Sequence, residues 1–191
     1  MGMKSVTEES QSVKRSLTAF LFVVLLIPLQ PGYATDLTLF KDTSIQVYFS
    51  PDGGCTNAIN KLIGQARQEI LVQAYSFTSA PIAKALLEAH KRGVKVMVIL
   101  DKSQKTQKYS SATFLKNSRI PTFIDDKHAI AHNKIMIIDR KIVITGSFNF
   151  TKAAEEKNAE NVLILKNKEL AGIYLRNWEQ HREHSVKYSG K

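Results

Sequence analysis

The sequence predicts an α/β fold: a mixed, largely parallel β-sheet flanked by helices on both faces. Three observations carry this prediction. Strand-like and helix-like segments alternate in β-α-β-α-β order from Ile45 to Leu100, the order that builds a parallel sheet covered by helices. Val94 to Leu100 is a nearly continuous apolar run, as a strand buried on both faces requires. Farther on, Lys134 to Ile138 and Lys141 to Thr145 flank Asp139-Arg140, which reads as a tight hairpin and makes the sheet mixed.

The elements follow in order. Ile45-x-Val47-x-Phe49 alternates like a strand and stops at Pro51-Asp52-Gly53-Gly54, a strong turn signal. A helix follows with Thr56 as its expected N-cap and Ile59, Leu62, Ile63 and Ala66 on one face. Ile70 to Phe77 is β-branched and aromatic, hence a strand. Ser79 then caps a helix with Pro81 in its first turn, an apolar stripe of Ile82, Leu86 and Ala89, and Gly93 just past its end. A short helix is expected near Ser111 to Lys116, and short strands at Thr122 to Ile124 and Val162 to Leu165. The chain closes on a helix from about Lys168 to His181 with Leu170, Ile173, Tyr174 and Trp178 on one face.

The 191 residues leave room for one ordinary domain. Lys14-Arg15 precede an apolar run from Leu17 to Leu29, with Gly32 and Ala34 at a small-residue cleavage pattern. That layout is a secretory signal. Residues 1–34 are therefore expected to be a signal peptide and residues 35–191 a single catalytic domain, periplasmic or secreted, with no stable membrane association after cleavage. The alternative is an uncleaved anchor, although the run falls short of the ~20 apolar residues that span a bilayer. Removing Lys4, Lys14 and Arg15 together with Glu8 and Glu9 lowers the net charge of +10 by only one. Such an excess favours a polyanionic partner. It concentrates in Lys102, Lys105, Lys108, Lys116 and Arg119, in a stretch from Lys102 to Ile124 without Asp or Glu, and Tyr109 and Phe114 interleave for stacking. Lys102, Lys105, Lys108 and Tyr109 are the candidate nucleic-acid contacts; a solvated basic face or anionic lipid head groups are the alternatives. Cys55 is the single cysteine, so an internal disulfide is excluded.

Chemistry gathers around Ala131, where polar residues appear on segments that strand logic would fill with apolar ones. Residues two apart on a strand share a side, so His132 and Lys134 project together, and Ser147 and Asn149 repeat the device nearby. An imidazole, an ammonium, a hydroxyl and an amide suit a phosphodiester. The imidazole can attack phosphorus while Lys134, Asn149 and Ser147 hold the non-bridging oxygens. No metal or other cofactor is required by this scheme. A nucleophilic imidazole also needs an acceptor on its other ring nitrogen, and Glu160, in Asn158-x-Glu160-Asn161, is the candidate.

His132-x-Lys134-x4-Asp139-x6-Gly146-Ser147-x-Asn149, continued by Asn158-Ala159-Glu160-Asn161, resembles the HKD motif of the phospholipase D superfamily. The short chain, single motif and signal segment resemble the small bacterial periplasmic endonucleases of that superfamily. The resemblance implies a phospholipase D/nuclease-like fold and a covalent phosphohistidine at His132. It further implies phosphate binding by Lys134 and Asn149, a supporting contact from Ser147, an orienting role for Glu160 and a structural role for Asp139.

A single motif leaves the leaving oxygen without a general acid, because His132 is committed as nucleophile. A homodimer is therefore expected, with the active site at its twofold interface and His132 of the second copy protonating the leaving group. The expected activity is low-specificity, metal-independent cleavage of double- or single-stranded DNA, with RNA as a further substrate. The alternative within the same chemistry is a secreted phospholipase D acting on phosphatidylcholine; a third reading is a non-catalytic DNA-binding protein.

Other features are read conservatively. His128 and His132 have the spacing of a helical metal pair but lie in loop and strand, so zinc is not expected. His181 and His184 read as a solvated helix end, Asp125-Asp126 as a surface turn, Trp178 and Tyr174 as core, and His90 as a favourable charge at a helix C-terminus. Cys55 reads as a free thiol near a turn.

Overall fold

The computed structural model describes residues 43–190. The expected signal segment and the expected start at Thr35 lie outside these residues. Eight strands and five helices follow one another as β1 Ser44–Ser50, α1 Cys55–Gln65, β2 Glu69–Ala74, α2 Ala80–Lys91, β3 Lys95–Asp101, α3 Ala112–Asn117, β4 Thr122–Asp125, β5 Lys134–Ile138, β6 Ile142–Gly146, α4 Lys152–Glu156, β7 Glu160–Lys166, α5 Lys168–His184 and β8 Val186–Lys187. All eight strands form one sheet in the order β1-β7-β6-β5-β2-β3-β4-β8.

The mixed sheet flanked by helices is the architecture expected, but its parallel part is smaller than expected. Only β2-β3 and β3-β4 run parallel; β1-β7, β7-β6, β6-β5, β5-β2 and β4-β8 are antiparallel. An apolar run reports burial on both faces and carries no direction, which explains the difference. The first strand departs most. It joins the far edge beside β7 rather than a central strand, and Ile45, Val47 and Phe49 face outward at 56, 49 and 65 % exposure.

Two apolar layers hold the sheet. On one face, Ile70, Val72, Val96, Val98, Leu100, Met136 and Ile138 pack against Ile59, Ile63, Ile82, Leu86 and Leu115 of α1, α2 and α3. On the other, Leu71, Ile99, Ile135, Ile137 and Val143 pack against Ala171 and Trp178 of α5. Trp178 is 2 % exposed and donates its Nε1–H to the Val72 carbonyl at 3.0 Å, so its polar atom is satisfied inside the core.

Local signals explain most boundaries. Ser79 accepts from the Ile82 N–H, Pro81 sits in the first turn of α2, and Gly93 follows the helix at φ 89°. Thr56 is not the N-cap of α1: the cap is Gly54, two residues earlier, in the left-handed region at φ 76°. Glu155 supplies the missing acceptor, taking the Thr56 N–H at 2.7 Å. Asp139 and Arg140 form the β5-β6 turn with φ of 51° and 53°, as the tight hairpin requires. The 3-10 turn Lys102–Lys105, α4 and β8 leave no signal in the sequence, each being too short for a periodicity to register.

Candidate active site

The parallel strands end together at one edge of the sheet, and the antiparallel β5 begins there opposite Ala74. Side chains leaving strand ends at such an edge are free to converge on a ligand. His132 precedes β5 and is exposed, whereas Lys134, its first residue, is 8 % exposed. The Lys134 Nζ lies 3.1 and 3.2 Å from the two ring nitrogens of His132 and donates to the His132 carbonyl at 2.9 Å. Burial pushes the Lys134 ammonium below its ordinary range, and the charge of Glu160 opposes that shift.

Backbone contacts fix the segment carrying His132 from both sides. The Ala131 N–H donates to Asp101 Oδ2 at 2.7 Å, and the Tyr75 N–H donates to the Asn133 carbonyl at 2.8 Å. Neither Asp101 nor Tyr75 was a sequence candidate. Tyr75 also lies beside both motif side chains, its ring 4.5 Å from the His132 ring and 5.2 Å from Lys134 Nζ. The one available signal was position, since each stands where a buried strand ends.

Ser147 and Asn149 lie in the loop after β6 rather than on the strand itself. Gly146 makes that departure possible, because at φ 143° an added Cβ would sit 2.2 Å from the Asn161 carbonyl oxygen. Ser147 Oγ accepts from the Asn161 backbone and side-chain N–H groups at 3.0 and 3.3 Å. Asn149 is half-buried, and its Oδ1 is buried without a hydrogen-bond partner. Glu160 accepts from the Asn158 amide at 3.1 Å and acts electrostatically on Lys134. Among the described residues no contact joins Glu160 to His132 of the same chain.

Asp139 lies at the opposite end of β5, away from Lys134. Its carboxylate accepts the N–H groups of Arg67, Gln68 and Glu69 at 2.7 to 3.2 Å, which fastens the hairpin to the α1-β2 connection.

The basic segment divides. Lys102 donates to the His128 carbonyl and Lys105 pairs with Asp126, so both hold the loop between β4 and β5. Lys108 lies over the ring of Tyr109, which is 73 % exposed. Lys116 and Arg119 line a cleft of about 860 Å³ with Phe123, Arg182, Lys187 and Tyr188, and the Arg182 guanidinium stacks 3.4 Å over the Phe123 ring.

Four residues that the sequence reading treated separately come together. Asp125 is not in a surface turn: it ends β4 at 0 % exposure. His181 and His184 are not a solvated helix end, because the last turn of α5 packs them against that carboxylate at 2.7 and 3.2 Å. His128 joins them at 3.1 Å, rather than pairing with His132. Burial alone would raise the Asp125 carboxyl, but the hydrogen bonds of His181 and His128 and the close approach of His184 outweigh it and hold it at about 2. Cys55, by contrast, is buried, and burial and then Glu155 push its thiol upward, away from the reactive thiolate.

A family model described as cardiolipin synthase, PLD-like domain, matches residues 59–182. A phospholipase D of Rickettsia felis is 48% identical over 136 residues, 71% of this chain and 68% of that protein. The mitochondrial cardiolipin hydrolase of Homo sapiens is 33% identical over 119 residues, 60% of this chain and 47% of that protein. Among solved structures, a phospholipase D family member, Nuc from Salmonella typhimurium, matches with a TM-score of 0.74 at 39% identity, covering 77% of this chain and 99% of that one.

Proposed function

The chain belongs to the phospholipase D superfamily and is a phosphodiester hydrolase, and on that premise we propose that it is an endonuclease of low sequence specificity that cuts DNA through a phosphohistidine. The observation that carries the chemistry is the His132-Lys134 pair, an exposed imidazole with a buried ammonium 3.1 Å from a ring nitrogen. A phosphodiester placed against both meets a nucleophile and a charge for its non-bridging oxygens at one point. Asn149 and Ser147 complete the phosphate contacts.

The step balances without a metal. A ring nitrogen of His132 forms an N–P bond as the P–O bond to the leaving nucleoside breaks. A second imidazole gives its proton to that oxygen, then takes one from the water that attacks phosphorus and breaks the N–P bond. A homodimer supplies the second imidazole, with the site at the twofold axis and the two His132 rings facing each other. The exposed apolar stripe of Ile45, Val47 and Phe49 supports this reading. It lies on β1, the edge strand among the described residues, whose last residue, Ser50, pairs with Glu160. Since Glu160 makes no contact with its own His132, the second copy's Glu160 is the acceptor that orients each ring.

DNA is preferred as substrate because of the +10 charge and the basic, aromatic cleft that holds Lys116, Arg119 and Arg182. Export to the periplasm or beyond fits the N-terminal segment. The second reading is cleavage of a phospholipid such as phosphatidylcholine. It is favoured by the phospholipase D and cardiolipin hydrolase names of the relatives and by Ile130, two residues before His132 and 59 % exposed.

One assay separates these readings: plasmid, single-stranded DNA and phosphatidylcholine vesicles, each in EDTA, with His132→Asn alongside. Nicking by the parent and none by the variant is expected. Choline release without nicking would overturn the choice of DNA. Loss of cleavage in EDTA that magnesium restores and zinc does not would overturn the metal-independent step. For the dimer, sedimentation of an active protein as a strict monomer would refute the shared site.

A further inference from the structure

Asp125, His128, His181 and His184 come from three elements: the end of β4, the following loop and the last turn of α5. Their candidate ligand atoms all lie within 4.8 Å of one another. His181 Nδ1 is 2.7 Å from Asp125 Oδ2, His128 Nδ1 is 3.1 Å from both carboxylate oxygens, and His184 Nε2 is 3.2 Å from Oδ1. The rings are tilted against one another by 41 to 64°, with centroids 4.9 to 5.4 Å apart. No step of the proposed cleavage uses any of the four.

One carboxylate is a poor centre for three imidazoles. With neutral rings each must aim an N–H at the same two oxygens, and the third fails: His184 Nε2 is buried and makes no hydrogen bond of acceptable geometry despite its 3.2 Å approach. With protonated rings, three positive charges crowd around one buried negative charge. A cation at the convergence point removes both difficulties, since each neutral imidazole then offers a lone pair. Three imidazole nitrogens and one carboxylate oxygen form a closed four-donor set of the kind zinc takes in tetrahedral sites.

We propose that these four residues bind one divalent transition-metal ion of the zinc class, and that this ion holds the loop carrying His132. Bonds of about 2.0–2.2 Å place tetrahedral ligand atoms roughly 3.4 Å apart. The Asp125-to-histidine distances are already close to that value. Binding needs the carboxylate to move from the centre to one vertex while the rings close by about an ångström. The ion is structural rather than catalytic. Its four positions are filled by protein, and β4 is three strands from β5 in the sheet order, on the order of 14 Å at ~4.8 Å per strand. Its effect travels along the chain. His128 lies four residues before His132, and Lys102 and Lys105 clamp the same loop at the His128 carbonyl and at Asp126. Fixing His128 to the end of α5 therefore sets the starting point of the segment that presents the nucleophile.

The test is metal binding by the whole chain, read independently of cleavage. Protein stripped with EDTA and dialysed is titrated with zinc chloride by calorimetry and with cobalt chloride by visible absorption. One ion per chain is expected, with the intense absorption of tetrahedral cobalt. A rise in Tm of about 5–10 °C at a hundredfold excess over Kd is also expected. His184→Gln and Asp125→Asn are expected to weaken zinc binding at least tenfold, while His132→Asn leaves it unchanged. The cobalt spectrum of the unaltered protein decides the matter even where a variant misfolds. The proposal is overturned by the absence of stoichiometric zinc or cobalt binding, by full affinity in a folded His184→Gln protein, or by loss of binding in His132→Asn.

Discussion

Asp139 and Glu69 hold each other reciprocally: the Asp139 N–H donates to the Glu69 carbonyl at 2.9 Å, and the Glu69 N–H donates to Asp139 Oδ1 at 3.1 Å. With the Arg67 and Gln68 N–H groups on the same carboxylate, the motif aspartate closes the fold at the end of β5 remote from the substrate.

Asp139→Ala should therefore act on stability. Three N–H groups lose their acceptor and a residue at φ 51° loses its tolerance for the left-handed region. The expected cost is about 2–4 kcal/mol, read as a lowered midpoint in urea. Activity per folded molecule should stay within a few-fold of the parent. A hundredfold loss of turnover at unchanged stability would give Asp139 a chemical role instead.

Lys134→Met should trade activity for stability. The ammonium is 8 % exposed and its burial disfavours the charged form, so a neutral side chain of similar length removes a desolvation cost. A gain of about 1 kcal/mol is expected, together with loss of cleavage by at least ~10³-fold. Thermal melts and a nicking assay on the same preparation check both halves. A destabilised variant would show that the His132 contacts of Lys134 outweigh its burial.

Glu160→Gln should move the alkaline limb of the pH–rate profile. Burial lowers the Lys134 pKa and Glu160 raises it. Removing the carboxylate leaves burial unopposed, so Lys134 loses its proton at a lower pH. Cleavage that depends on the ammonium then fails at lower pH than in the parent, as kcat/KM against pH would show. By the same sign, charged Lys134 weighs against the fold below its folded pKa. That penalty fades as pH rises toward the ordinary lysine value of ~10.4. An unmoved limb would assign it to another group.

Cys55 should be inert in the native protein. It is 0 % exposed, and burial together with Glu155 keeps the thiol protonated. No reaction with a chromogenic thiol reagent is expected at pH 8 until denaturant is added. Prompt labelling of the folded chain would contradict the packing around α1.

Much of this arrangement was legible because it rests on local rules. The hairpin at Asp139-Arg140, the Ser79 cap and the buried β2 and β3 follow from turn chemistry, capping and apolar periodicity. His132 and Lys134 were found together because two residues of extended chain set their spacing. Strand direction was not legible, since Val94 to Leu100 would look the same in either orientation. Nor was the place of β1, because the alternation of Ile45, Val47 and Phe49 marks a strand without saying which neighbour it joins or which way its apolar side faces. The four-residue cluster was hidden for a different reason. Asp125 and His181 are 56 positions apart, and only the packing of α5 across the sheet brings them into contact. Glu160 stands out in the sequence through Asn158-x-Glu160-Asn161, and within one chain it accepts from Asn158 and acts on Lys134.

The segment from Asp126 to Asn133 is fastened at nearly every turn: to Lys105, to Lys102, to Asp101 and to Tyr75. Connections between strands usually tolerate changes of length, and this one has no slack to absorb them. A single inserted or deleted residue would turn the His132 ring away from Lys134 even with every motif letter intact. This stretch can diversify by replacing side chains such as Ile130, and not by lengthening, so a donor loop grafted here must match it residue for residue.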